Sequence, residues 1–242
     1  MSTTIDTAMV LAAGLGTRMR GYSEVLPKPL VPLAGKTLID HALDRLADAG
    51  IARAVVNVHY KAELIEARLQ ERTRPAIVIS DERGLLLETG GGIKKALPLL
   101  GEKPFIAHNS DSVWRESGVS NLKRLVAAWD EGKMDCLLML ALTSASIGYE
   151  GKGDFSLESD GRIRRRRPDE TVPWVFMGVQ IIHPRLYEGT PEGAFSNNLI
   201  WNHALLKGRA YGLRMDGLWM HVGTPDALSE AEAALGHGVR GE

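Results

Sequence analysis

The 242-residue sequence has little of what marks secreted or membrane-bound proteins. Its single cysteine, Cys136, excludes an internal disulfide and favours a reducing compartment. No apolar run reaches the ~18 residues of a membrane span, and the start of the chain lacks the basic and apolar stretches of a signal peptide. We therefore expect a cytoplasmic protein with no membrane partner, in which Cys136 is a buried core thiol.

An excess of charge of one sign is also missing. The chain has 29 Lys and Arg against 30 Asp and Glu, for a net charge of -1. This balance predicts no basic surface for nucleic acid or anionic lipid, so nucleic acid is not an expected partner. The length suits one large α/β domain with a substantial core, and nothing in the sequence indicates an oligomeric state.

What the sequence does have is a glycine-rich loop after an apolar run at residues 9–13. The positions that follow are Gly14, Gly16, Thr17, Arg18 and Arg20, and then Lys28 between Pro27 and Pro29. Glycines let backbone N–H groups approach an anionic ligand, and the cations neutralise the charge that the ligand brings. The pattern predicts binding of a nucleoside triphosphate.

Two common phosphate motifs do not fit this loop. A dinucleotide fold needs a third glycine, but Gly14 and Gly16 are followed by Thr17, Arg18 and Met19. The only Gly-Lys-Thr, at residues 35–37, lacks the upstream glycine of a P-loop. A bare Gly-x-Gly also makes a simple tight turn, but a turn needs no cluster of cations.

Hydrophobic periodicity predicts alternating strands and helices up to residue 142. The predicted strands are 52–58, 76–80, 104–110 and 136–142, and the predicted helices are 37–49, 63–71, 89–100 and 119–131. Gly50 stands where a helix C-terminus favours a left-handed residue. The alternation predicts an α/β fold with a Rossmann-like, doubly wound sheet of parallel strands and with ligands at their carboxyl ends.

After residue 143 the segments become shorter and more polar. Segments 154–158, 162–167 and 172–182, with a turn at Asp160-Gly161, predict a hairpin insertion that makes the sheet mixed. A helix at 196–207, strands at 210–215 and 218–222, and a closing helix capped by Thr224 follow. We expect one domain, residues 1–242, with a nucleotide-binding part up to about 142 and a smaller part after it.

The triplet Asn109-Ser110-Asp111 ends the predicted strand 104–110, at the edge where the ligand of such a sheet binds. Nucleotidyl transfer needs a divalent cation, and Mg²⁺ is held by one or two carboxylates with phosphates and waters. Asp111 is therefore a candidate metal ligand. On position alone, it is equally a residue that caps or turns the chain.

The segment Glu88-Thr89-Gly90-Gly91-Gly92 precedes a helix. Three glycines expose main-chain groups against which a base or sugar can pack, and the polar side chains can bind base or ribose edges. The alternative is a flexible entry to the helix.

These motifs together resemble the sugar-1-phosphate nucleotidylyltransferases in order and spacing over nearly the whole chain. The matching segments are residues 11–19, 27–30, 88–92, 109–111 and 219–225. Leu-Glu-Thr-Gly-Gly-Gly at 87–92 looks most like the N-acetylmuramate 1-phosphate uridylyltransferases of cell-wall recycling. Small mannose-1-phosphate guanylyltransferase-like proteins are near neighbours of that group.

The resemblance implies the fold of the nucleotide-diphospho-sugar transferases, and a reaction in which a sugar phosphate oxygen attacks the α-phosphorus of an NTP and pyrophosphate leaves. It implies that Arg18 binds the β and γ phosphates, that Lys28 offsets charge at the α-phosphate, and that Asp111 holds Mg²⁺. The nucleotide contacts it implies are Leu11, Ala12, Ala13, Gly14, Gly16, Thr17, Glu88 and Gly91. The sugar contacts are Asn109, Gly153, Asp154, Arg167 and Asn197.

One position departs from the family. The resembling proteins commonly carry a second metal-binding aspartate where this chain has His221, and histidine favours borderline metals such as Mn²⁺ over Mg²⁺. His221 contacts the cation, or Asp111 works alone with phosphate and water, or His221 only donates a hydrogen bond. Asp216 lies too far back along the chain to take the role.

The run Arg164 to Arg167 falls near the lysine-proline that meets the sugar phosphate in the resembling enzymes, and Arg167-Pro168 is its nearest match. Side chains alternate faces along a strand, so at most two of the four point inward.

Two other functions compete with an NTP-dependent transferase. A catalytically silent nucleotide-sugar sensor would retain the fold, and the histidine at 221 favours it, but such a protein would not need Lys28. A dinucleotide-dependent oxidoreductase would need the missing third glycine.

Overall fold

The computed structural model describes residues 4–19, 21–22 and 24–236, and Arg20 of the predicted phosphate loop lies outside them. The strands are β1 Thr7–Leu11, β2 Pro32–Leu33, β3 Lys36–Thr37, β4 Arg53–Val58, β5 Ala76–Asp81, β6 Phe105–Asn109, β7 Ser112–Arg115, β8 Cys136–Leu142, β9 Phe155–Leu157, β10 Ile163–Arg165, β11 Trp174–Ile182, β12 Ala210–Arg214 and β13 Leu218–His221. The helices are α1 Leu38–Asp48, α2 Ala62–Leu69, α3 Glu88–Leu100, α4 Asn121–Ala128, α5 Asn198–Leu206 and α6 Pro225–Gly236. Each predicted element is present, with ends within three residues of the prediction.

The main sheet is mixed, in the order β12-β8-β11-β6-β1-β4-β5. Strands β6, β1, β4 and β5 are parallel to one another, as the alternation of strands and helices predicts. Strand β11 confirms the expected mixed sheet, because it runs antiparallel to both β6 and β8. It lies between them because the hairpin β9-β10 returns the chain in the opposite direction, and β9 pairs with β11.

Both faces of the sheet are buried, because successive side chains of β1 lie in two different cores. Ala8 and Val10 pack in one core with α1, α2 and α4, whereas Met9 packs in a second core with α3 and α5. Because successive side chains of a strand point to opposite faces, a strand covered by helices on both sides reads as a continuous apolar run. Cys136 lies in the second core, as expected, where burial raises the pKa of its thiol.

Helix ends follow the signals in the sequence. The hydroxyl of Thr37 accepts a hydrogen bond from the Asp40 N–H at 3.3 Å and caps α1. Gly50 follows that helix with a φ of 88°, a conformation that favours glycine. The hydroxyl of Thr224 accepts from the Ala227 N–H at 3.3 Å and caps α6. Among the described helices, none combines the length and the apolarity needed to cross a bilayer.

Strands from both predicted parts of the chain share the one sheet, because β12 pairs with β8 and β11 with β6. A separate two-stranded sheet, β7-β13, packs against α6 in a third core that includes Val113, Met220 and Leu228. This small sheet places the loops after β6 and β13 beside each other.

Candidate active site

A cleft of about 550 Å³ opens at the carboxyl ends of β1, β4 and β6. Strands β1 and β6 are neighbours, and the chain continues from β1 to β4 on one side of the pair and from β6 to β8 on the other side. Open α/β sheets bind ligands at such a switch point. The predicted site residues that line the cleft are Leu11, Ala12, Ala13, Gly14, Gly16, Thr17, Arg18, Lys28, Glu88, Asn109 and Asp111.

Gly16 allows the loop after β1 to approach Lys28. Its φ is +64°, and a Cβ added there would lie 2.9 Å from the Lys28 Cβ. Lys28 opens a short 3-10 turn whose first residues include Pro29, and Pro27 has an extended backbone. Because the proline rings fix φ, the backbone that carries the lysine is ordered before any ligand binds.

Lys28 and Asp111 form an ion pair across the cleft, with 2.5 Å between Nζ and Oδ2. Their side chains are only 12% and 20% exposed, so water screens the pair weakly. Burial by itself would raise the pKa of Asp111, but the charge of Lys28 and the hydrogen bond from Lys28 oppose it, and the pKa lies below its ordinary value. The carboxylate is therefore ionised at neutral pH.

His221 lies beside this ion pair, because β13 pairs with β7 and brings it opposite Ser112. His221, Asn109 and Asp111 line a smaller cavity of about 160 Å³. Asn109 and Asp111 also line the main cleft, so the two cavities are adjacent. Burial lowers the pKa of His221, and Lys28 and Arg18 lower it further, against the opposing effect of Asp111. The ring is therefore neutral at pH 7 and has a nitrogen lone pair for a cation.

The donor set suits a divalent cation that binds with the substrates. Within the described residues no three His, Cys, Asp or Glu side chains converge on one metal position. Asp111 and His221 could supply two ligands, and Mg²⁺ usually takes its remaining ligands from phosphates and water. Asp216 lines neither cavity, and its backbone N–H and C=O are bound by the Asn121 side chain.

Gly90 and Gly91, in the first turn of α3, pack against residues 193–195, so the predicted nucleotide contact of Gly91 stays a prediction. The N–H groups of Gly90 and Gly91 donate to the Phe195 carbonyl at 2.8 and 3.1 Å. A Cβ added at Gly91 would lie 2.1 Å from the Gly193 carbonyl oxygen, and Gly91 lies outside the cleft. The sequence shows where glycine is used, but not which neighbour requires it.

The predicted sugar contacts divide into two groups. Asn109 lines both cavities, and Asp154 lines the smaller one, where its Oδ2 accepts from the Phe176 N–H at 2.9 Å. Gly153 and Asn197 line neither cavity.

Their contacts explain why. A Cβ added at Gly153 would lie 2.1 Å from the Val172 carbonyl oxygen. The side chain of Asn197 is buried and accepts from the Tyr187 hydroxyl at 2.9 Å. Both residues therefore support the fold around the cavity, and their contact with a sugar stays a prediction.

The arginine run alternates faces as expected. Arg167 is exposed and lines neither cavity, so its contact with the sugar phosphate stays a prediction. Arg164 pairs with Glu170 at 2.7 Å, and Arg166 donates to the Gly153 carbonyl at 3.0 Å. Arg165 instead lies over the Phe155 ring at 5.2 Å and is half-buried.

Sequence reasoning missed several residues of the two cavities: Asn57, Leu86, Ser110, Ser196, Tyr149 and Phe176. Asn57 carries a usable signal, since it is an amide within the apolar strand β4, close to its carboxyl end. Tyr149 and Phe176 carry none, because they reach the cavity from distant segments that only the tertiary structure brings together.

Comparisons with known proteins agree with this geometry. Residues 8–141 match the model of a MobA-like NTP transferase domain. The chain is 50% identical over 239 residues to an N-acetylmuramate alpha-1-phosphate uridylyltransferase of Caulobacter vibrioides, covering 97% of this chain and 99% of that protein. It is 34% identical over 232 residues to the protein of the same name from Neisseria meningitidis serogroup B, covering 95% and 98%. A UDP-glucose pyrophosphorylase solved with UDP-glucose has the same fold, with a TM-score of 0.80 at 16% identity, covering 97% of this chain and 100% of that one.

Proposed function

The chain belongs to the sugar-1-phosphate nucleotidylyltransferases that carry a MobA-like NTP transferase domain, and on that premise we propose that it joins UTP to N-acetylmuramate 1-phosphate. The products are UDP-N-acetylmuramate and pyrophosphate. The Lys28–Asp111 ion pair beside the glycine loop supports this proposal, because it combines a fixed cation with a carboxylate at the cleft.

In the proposed reaction an oxygen of the sugar phosphate forms a bond to the α-phosphorus of UTP. The bond from that phosphorus to the bridging oxygen breaks, and pyrophosphate leaves with the electron pair. Lys28 is held in place before reaction, so its charge can offset the negative charge that grows at the α-phosphate without reorganisation. Arg18 is exposed at the edge of the cleft and serves the β and γ phosphates in this proposal.

We also propose a divalent cation at Asp111 and His221, with Mg²⁺ as the principal ion and Mn²⁺ as the alternative. When bound, the cation would neutralise phosphate oxygens of the nucleotide. Asp111 contributes an ionised carboxylate that Lys28 already orients, and His221 contributes a neutral ring nitrogen. The mixed oxygen and nitrogen ligands favour Mn²⁺ more than two carboxylates would.

In this proposal the nucleotide binds in the main cleft and the sugar binds in the smaller cavity. The glycine loop and Glu88 face the nucleotide, while Asn109 and Asp154 face the sugar. A cytoplasmic role in the recycling of cell-wall sugars follows from the proposed substrates, and the lone cysteine is consistent with that compartment.

A matrix of four NTPs against several sugar 1-phosphates, scored for pyrophosphate, tests the proposal. We expect turnover with UTP and N-acetylmuramate 1-phosphate well above every other pair. Turnover only with GTP and mannose 1-phosphate would replace these substrates by the guanylyltransferase alternative. Nucleotide-sugar binding without pyrophosphate from any pair would favour the silent sensor.

A further inference from the structure

Asn57 and Glu82 form a buried polar pair at the wall of the cleft, which Asn57 lines and Glu82 does not. Asn57 lies near the carboxyl end of β4 and is 2% exposed, and Glu82 follows β5 and is 0% exposed. Desolvating a carboxylate is costly, so a buried glutamate persists only when its oxygens accept hydrogen bonds.

The hydrogen bonds of the pair run from the glycine loop to the start of α3. The Asn57 Oδ1 accepts from the Ala12 N–H at 2.7 Å, and its Nδ2 donates to the Glu82 Oε1 at 2.7 Å. The Glu82 Oε2 accepts from the Leu87 N–H at 3.2 Å. Ala12 belongs to the loop that lines the cleft on one side, and Leu87 precedes Glu88 on the other.

The direction of every bond is determined by the chemistry of its ends. The Ala12 N–H only donates and the Glu82 Oε1 accepts, so the amide of Asn57 has one orientation that satisfies both neighbours. Gly92 leaves the space that the pair occupies: a Cβ there would lie 2.7 Å from the Glu82 Oε1 and 3.0 Å from the Asn57 Nδ2. The third glycine of the segment is thus explained by the pair and not by a ligand.

We propose that Asn57 and Glu82 are positioning residues that hold the two nucleotide-contacting segments at a fixed separation. The inference rests on the proposed function, because it assigns the nucleotide to the cleft between Ala12 and Glu88. Neither residue lines the smaller cavity, so the pair acts on nucleotide affinity and leaves sugar phosphate affinity unchanged.

A charge-relocation experiment separates this role from a simple requirement for either side chain. Asn57→Asp places the new carboxylate against that of Glu82. Glu82→Gln replaces one accepting oxygen by an amide nitrogen, which then faces a donor, either the Asn57 amide or the Leu87 N–H. The double variant Asn57→Asp/Glu82→Gln restores a complete set of bonds, because residue 57 then accepts from both Ala12 and the glutamine amide, whose oxygen accepts from Leu87.

We expect each single variant to raise KM and Kd for the NTP about tenfold or more, as the loss of a buried hydrogen bond predicts. KM for the sugar phosphate should stay within about twofold, and the double variant should recover most of the lost nucleotide affinity. Gln180→Glu is the matched control, since Gln180 is also a buried amide, accepting from the Trp201 indole at 2.7 Å away from the cleft. It should lower the melting temperature without changing the KM for NTP.

Equal nucleotide affinity in all folded variants, or a double variant as impaired as the worse single one, would overturn the inference. If one single variant fails to fold, the other single and the double variant still give the comparison, with folding checked by circular dichroism. The proposed function can fail independently of this inference. A wild-type protein that releases no pyrophosphate would contradict the proposed function. The NTP Kd values of the wild type, the two single variants and the double variant would still test the pair.

Discussion

The ammonium of Lys28 and the carboxylate of Asp111 lie 2.5 Å apart although they come from different sides of the cleft, one from the turn after the glycine loop and one from the end of β6. Each holds the other in an ordered position and reduces the cost of keeping a charge out of water. A triphosphate that enters the cleft therefore meets charges that are already oriented.

Replacing Lys28 by alanine tests its proposed place in the reaction. We expect kcat to fall by about 10²–10³, the usual cost of removing one preorganised group that stabilises transition-state charge. Steady-state release of pyrophosphate measures the effect. Lys36→Ala is the control, because Lys36 also pairs with an aspartate, Asp44, but is 57% exposed and distant from the cleft. A Lys28→Ala enzyme with wild-type kcat would contradict the assignment.

His221→Asp tests whether the histidine contacts the cation. We expect the variant to retain activity and to shift its preference further toward Mg²⁺, because a carboxylate oxygen suits the harder ion. Direct titration of Mn²⁺ into the protein–UTP complex, followed by electron paramagnetic resonance, gives a readout that does not depend on turnover. An unchanged metal profile would remove His221 from the ligands.

Glu88 combines a position in the cleft with a strained backbone, since its φ is 57°. Glu88→Gly removes both the carboxylate and the strain, and we expect it to stabilise the fold by about 1 kcal/mol while weakening nucleotide binding. Glu88→Ala removes the carboxylate but keeps the strain, so it should weaken nucleotide binding without the gain in stability. Urea unfolding and nucleotide titration of the two variants measure the two effects. Wild-type nucleotide affinity in both would exclude Glu88 as a contact.

Gly91 should matter for stability, because an added Cβ meets the Gly193 carbonyl at 2.1 Å. We expect Gly91→Ala to destabilise the fold by about 2 kcal/mol or more, as overpacking does, and to lower the melting temperature. Gly14→Ala is the matched control, because a Cβ there has no atom within 4 Å. A Gly91→Ala protein with an unchanged melting temperature and weaker nucleotide affinity would indicate that Gly91 contacts the nucleotide.

His108 should make the stability depend on pH. It is fully buried under Trp114, with ring centroids 5.5 Å apart, and its Nδ1 donates to the Asn109 carbonyl at 2.9 Å. Burial lowers its pKa to about 4, Arg45 also lowers it, and Asp111 and the carbonyl oppose the shift.

The unfolded chain, with an ordinary histidine pKa near 6.5, binds the proton more readily than the folded one. The contribution of His108 is therefore fully present above about pH 6.5 and is lost as the pH falls toward 4, up to about 3 kcal/mol. Urea unfolding at several pH values should show a steeper loss in the wild type than in His108→Phe. Parallel pH profiles of the two proteins would exclude this role.

Local patterns predicted the elements well because each depends on neighbours in sequence. The cap at Thr37, the left-handed Gly50 and the apolar run of β1 all act within a few residues of themselves. The position of β11 between β6 and β8 could not be predicted in this way, because it depends on how distant strands pack in the rest of the sheet.

The site shows the same division. The glycine loop, Lys28 and Asp111 were predicted because phosphate chemistry restricts which residue types can serve there, and they do line one cleft. The residue types of Gly91, Gly153 and Asn197 permit ligand contact, and only the structure shows that a neighbouring backbone or side chain packs against each of them.

By itself the sequence determined which segments are strands or helices, and which residues bring charge and backbone freedom to a phosphate site. Only the tertiary structure decided that Lys28 and Asp111 face each other and that Asn57 and Glu82 connect the two sides of the cleft. The reason is physical. Charge and flexibility belong to single residues, whereas distance and burial belong to pairs that are far apart in the chain and meet only when the sheet forms.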